Sequence, residues 1–316
     1  MMMKALQKLI EEVEGDASLH EPSKLRQRIE ALDRLDAFNP KVSRLAADST
    51  RAATYHRAKA LQAKLEAANR EVYEAIRRDI QQGHGRTSLL QWLPKSGAGE
   101  GVLGITNGAR YDYLDELIIG VLRFEETGAA IVQPTTEMLF YQPTPARHIF
   151  DLIDRTDLNE HDVLVDLGSG LGHVPLVASI STRARSIGVE LEPGYVECAR
   201  QSAETLNLKN VTFIQQDARA AKLTDGTVFY MYTPFIGNML RAVLDSLERE
   251  GARRDIRICT FGPCTATVAD EDWLEVVGVP RPDRVSIFRS RNRRSRNVVE
   301  ANQKISSIRI ESASMF

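Results

Sequence analysis

The sequence predicts an α/β fold: a doubly wound, seven-stranded, mostly parallel sheet behind an N-terminal all-helical domain. Three observations predict it. Short aliphatic runs alternate with helical patterns from about residue 140 onward. One of those runs, Val163, Leu164 and Val165, ends in Asp166 and three spaced glycines. Residues 1–85 instead carry charged, helically patterned segments.

Composition narrows the classes. The chain has 316 residues, room for about two domains, and a net charge of −2. That balance makes no global case for nucleic acid or a membrane surface as partner. The first sixteen residues hold early acids and no apolar core run, so no secretory signal is expected. Cys198, Cys259 and Cys264 show neither a disulfide framework nor metal spacing, so the expectation is buried reduced thiols, a cytoplasmic protein and no metal.

In chain order, residues 4–14 and 22–36 read as helices, and Asn39 with Pro40 reads as a cap and first-turn proline. No glycine or proline interrupts residues 41–82, where Ala58, Leu61, Leu65, Ala68, Val72, Ile76 and Ile80 form one apolar face. That face suits packing on the catalytic domain, on a second copy as a homodimer, or on a substrate protein. Gly83, His84 and Gly85 end the segment. Expected boundaries are a helical accessory domain at 1–85, a glycine-rich linker and pre-core helix at 86–135, and the sheet domain at 136–316. Tyr111 to Arg123 reads as that pre-core helix.

Thr144 and Pro145 read as an N-cap and first-turn proline ahead of a helix that buries Ile149, Phe150, Leu152 and Ile153. Strands follow near 163–165, 186–190, 211–215, 227–232, 256–260, 274–279 and 285–288. The tail clusters Arg284, Arg289, Arg291, Arg293, Arg294 and Arg296, and residues 306–310 read as one more short edge strand.

The glycine turn carries the chemistry. Gly168, Ser169, Gly170 and Gly172 let the backbone bend and a ligand approach, and a helix N-terminus follows at Val174 and Pro175. A dinucleotide fingerprint needs its third glycine at 173, where His173 stands, which disfavours an NAD oxidoreductase. Glu190 ends the second strand, 20 residues after Gly170, where an acid can accept ribose hydroxyls.

Asp166-x-Gly168-x-Gly170-x-Gly172 resembles motif I of the class I S-adenosylmethionine (SAM) methyltransferases. The stretch DLGSGLGHVPL is similar to the loop of the non-SET histone-lysine methyltransferases. The resemblance implies SAM as cofactor, with Asp166 and the loop on its methionine part, Glu190 on the ribose and Asp217 on the adenine amino group. Tyr141 and Thr144, in a Tyr-x-Pro-Thr-Pro segment, match the strap such enzymes lay over the methionine end. The fourth strand ends in Tyr232, Thr233, Pro234 and Phe235. Amide and DNA-base methyltransferases of the class carry Asn or Asp, two prolines and an aromatic there, so their acceptor chemistry is not implied. Tyr232 and Tyr141 are then the candidate walls of the methyl-transfer point, and His173 a candidate base or helix-start residue. The acceptor is expected to be a protein or other macromolecule, with a small molecule, or a non-catalytic SAM-binding module, as alternatives.

Overall fold

The computed structural model describes residues 2–38, 49–94, 110–124, 141–233 and 235–291, the side chains of 49–51 excepted. Asn39 and Pro40, the glycine-rich 95–109, Pro234, Arg293, Arg294, Arg296 and the strand expected at 306–310 lie outside them. The chain forms two compact units, Met1–Leu93 with Tyr111–Arg123, and Pro94–Arg110 with Phe124–Phe316.

The first unit is helical: α1 (Met2–Gly15), α2 (Leu25–Asp36), α3 (Ser49–Gln81), α4 (Gly85–Leu90) and α5 (Tyr113–Leu122). The apolar face of α3 turns inward. Ala58, Leu61 and Leu65 join Leu6, Ile10 and Leu35 of α1 and α2 in one core, and Val72, Ile76 and Ile80 are also buried. Only Ala68 of the stripe stays half-exposed. The chain's own helices therefore cover that face. Gly83, at φ +84, ends α3 as its composition requires.

Helix α5 corrects the expected layout, because it packs in this unit rather than serving as a pre-core linker helix. An Asp112–Asp115 capping box starts it. Gly120 lies under the Tyr73 ring of α3, and Arg77 donates to the carbonyls of Gly120 and Val121. Its apolar residues said that it must pack, not against what.

The second unit runs α6 (Ala146–Thr156), β1 (Val163–Leu167), α7 (His173–Ser181), β2 (Arg185–Glu190), α8 (Pro193–Thr205) and β3 (Val211–Gln215). It continues with β4 (Val228–Tyr232), α9 (Gly237–Gly251), β5 (Arg257–Phe261), α10 (Cys264–Ala269), β6 (Leu274–Val277) and β7 (Ser286–Ser290). The sheet order is β3-β2-β1-β4-β5-β7-β6, parallel from β3 to β5, with β7 antiparallel to β5 and to β6. Every residue of β1 is buried, as a central strand covered on both faces must be. Asp162, just before β1, accepts from Thr227 Oγ1 at 2.8 Å and pairs with Arg257, tying the lower ends of β1, β4 and β5 together. The direction of strand addition reverses between β1 and β4, and such a switch point opens a crevice at the C-terminal strand ends.

Candidate functional site

That crevice is a cavity of ≈ 440 Å³. Asp166 from β1, Glu190 from β2 and Tyr230 and Tyr232 from β4 all reach it, because each sits at or near its strand's C-terminal end. Gly168, Ser169, Asp217, Tyr141 and Thr144 line it too, so most of the residues singled out in the sequence converge. Gly170 and Gly172 act through the backbone instead. The Gly170 N–H donates to Glu190 Oε2 at 2.8 Å, and the bare face of Gly170 lies under the Tyr141 ring. Gly172, at φ +83, starts α7 and packs against Phe213 and Ala199.

The two acids differ in surroundings. Glu190 Oε1 accepts from the N–H groups of Leu191 (2.7 Å) and Glu192 (2.9 Å), which fixes its rotamer. Asp166 is buried, and among the described residues nothing donates a hydrogen bond to its carboxylate. Burial first, and then the nearby Glu190 charge, raise its pKa well above the ordinary value. The Ser169 hydroxyl is likewise buried without a partner among the described residues. A buried carboxylate with no donor and a second acid beside it call for a cationic, donor-rich ligand. SAM, with a sulfonium, an ammonium and ribose hydroxyls, fits those groups and the Cβ-free loop.

One expectation needs correction. Thr144 is not the cap of α6; Pro145 holds that position with no side-chain cap, and Thr144 Oγ1 bonds the Tyr230 hydroxyl at 2.9 Å. A tertiary partner won over the local one. Asp217 lines the cavity and also accepts from Arg219, through its N–H (2.8 Å) and its guanidinium (2.6 Å). That pairing lowers the Asp217 pKa, so the carboxylate stays ionised.

His173 begins α7, buried, with Nδ1 3.1 Å from the Tyr141 hydroxyl and its ring 4.7 Å from that of Phe124. Burial lowers its pKa to about 4. The imidazole is neutral near pH 7 and a weak base. Tyr230, fully buried, has its pKa raised by burial and remains a phenol.

Tyr195, Tyr230, Gln216 and Thr233 also line the cavity and escaped the sequence reading. Tyr230 was within reach of it: two residues before Tyr232 in a strand, it faces the same side of the sheet. Thr233 was not, since its φ of +39 shows only in the folded backbone. Its hydroxyl donates to the Phe261 carbonyl and accepts from the Cys264 N–H, both at 3.1 Å, and these bonds hold a bend unfavourable for a β-branched residue.

The switch-point cavity, the glycine loop and the acids at the ends of β1 and β2 give the second unit the layout of a class I SAM-dependent methyltransferase domain. More narrowly, residues 137–224, which include Asp166, Glu190 and Asp217, match the family model described as histone methylation protein DOT1. A histone-lysine N-methyltransferase, H3 lysine-79 specific, of Cryptococcus neoformans var. neoformans serotype D is 46% identical over 56 residues, 17% of this chain. Those residues span only 9% of that protein's length. Among solved structures, the chain resembles an RNA methyltransferase from Salinibacter ruber in complex with S-adenosyl-L-homocysteine. The TM-score is 0.39 at 24% identity, over 47% of this chain and 92% of that one. It also resembles precorrin-6y C5,15-methyltransferase from Geobacter metallireducens, with a TM-score of 0.37 at 19% identity, over 51% and 93%.

Proposed function

We propose that this chain is a SAM-dependent methyltransferase whose acceptor is a lysine amine of a protein. The observation that carries the proposal is the cavity's polarity. Two acids, Asp166 and Glu190, stand at one side, and Tyr230, Tyr232, Phe235 and Met239 at the other. SAM supplies an electrophilic methyl group on a sulfonium. Asp166 would hold the ammonium of its methionine part, Glu190 the ribose hydroxyls and Asp217 the adenine amino group. The protein's main task is then alignment and exclusion of water.

Tyr232 packs on Phe261, ring centroids 4.6 Å apart, and forms with Tyr141 the wall beside the transfer point. Tyr230 stays protonated and closes the floor through its bond to Thr144. A lysine reacts only as the neutral amine. An aromatic, weakly hydrated wall favours that form, because desolvation lowers an ammonium pKa. The wall thus supports an amine acceptor even though Thr, Pro and Phe, not Asn or Asp, immediately follow β4. The lysine-79 specificity named for the fungal relative supports a protein acceptor. A reducing compartment such as the cytoplasm suits the three free, buried cysteines.

Methyl-labelled SAM, supplied with the full chain to purified core histones and to a cell lysate, tests the reading. Label recovered as methyl-lysine after hydrolysis of protein is the expected result. Label confined to the dialysable fraction moves the acceptor to small molecules. SAM binding with no labelled product anywhere makes the domain a binding module.

A further inference from the structure

The segment at 141–145 crosses the cavity before α6 begins, and two hydrogen bonds pin it. Thr144 reaches the floor at Tyr230. Tyr141 reaches His173 Nδ1 at 3.1 Å while its ring covers Gly170 and packs on Tyr195, centroids 5.0 Å apart. His173 is itself wedged, as the first residue of α7, with the Phe124 ring against it. Its Nε2 has no partner among the described residues, so Tyr141 is the hydrogen-bond contact recorded for the ring. Leaving a buried imidazole nitrogen unsatisfied is costly, so the bond between Nδ1 and the Tyr141 hydroxyl is what orients the ring. Being neutral, the imidazole can bracket a phenol without bringing a like charge to a cationic ligand.

We infer that His173 is a positioning residue that latches Tyr141 over the glycine loop, so that the strap at 141–145 retains the bound cofactor. This rests on the SAM reading above. The latch governs escape: with Tyr141 seated, the ligand leaves only when the phenol swings off Gly170. His173 also lines the cavity; the role inferred here runs through its bond to Tyr141.

A double-mutant cycle on SAM dissociation, read by stopped flow without turnover, tests this. Tyr141→Phe and His173→Leu each remove the same bond. Each should speed dissociation about three- to tenfold, the range of one hydrogen bond. The double variant should be no faster than the faster single one. His173→Asn, which keeps a polar atom near the Nδ1 position, should restore a rate near wild type, and circular dichroism should show all four folded. Additive effects, or an unchanged rate in Tyr141→Phe, overturn the latch while leaving SAM binding intact. Wild-type protein that binds no SAM overturns the cofactor reading and the latch together.

Discussion

Asp162 just before β1 and Asp166 near its end are the same residue type, yet they do opposite work. Asp162 pairs with Arg257 and Thr227 and stabilises the sheet. Asp166 has no such partner among the described residues and faces the cavity. Its burial costs the ligand-free fold and serves the ligand. Its pKa is raised above the ordinary 3.8, so a cationic ligand finds the ionised form above that raised value and loses it as pH falls through it. SAM affinity should therefore climb with pH and binding should release protons. In the ligand-free protein the sign reverses, because the desolvated charge disfavours the fold increasingly as pH rises through the same range. Asp166→Asn should raise the ligand-free melting temperature at pH 7, weaken SAM roughly ten- to a hundredfold and flatten the pH dependence. Calorimetry in buffers of different ionisation enthalpy, with thermal melts, measures all three. A variant that binds SAM as tightly as wild type would remove Asp166 from the site.

Elements were legible where burial imposed a pattern. A parallel strand covered on both faces must be apolar, so β1 stood out ahead of its acid and glycines, and β4 as an unbroken apolar run. The last two strands were found too, though Val276 and Val277 lie exposed on the edge strand. What sequence could not supply was partner choice. Thr144 had a plausible local role and took a partner 86 residues away. Helix α5 had an apolar face and no address. Its place depends on Gly120, where any added Cβ would overlap the Tyr73 ring. Gly120→Val should destabilise the helical unit by about 1–3 kcal/mol, against the small gain expected from removing a helical glycine. Urea unfolding followed by helical ellipticity checks the sign. Increased stability would show that α5 packs elsewhere.

At the scale of the molecule, two cores divide the labour. The helical unit buries its apolar stripe internally, and the sheet unit carries the cavity and the family match. The site was half-readable for the same reason. Motif positions such as Asp166 and Glu190 are set by one strand end each, and a single sequence shows strand ends. The aromatic wall is assembled from β4 and the chain around it, with Tyr195 arriving from α8, and no local spacing announces that meeting. The central claim is that the acids ending β1 and β2 together bind an adenosyl sulfonium. Calorimetric titration of the full chain with SAM, repeated on Glu190→Ala, tests it most directly. Saturable one-to-one binding by the wild type, lost or weakened at least about tenfold in the variant, is the predicted result. Binding of equal strength in both proteins, or NAD binding in place of SAM, would contradict it.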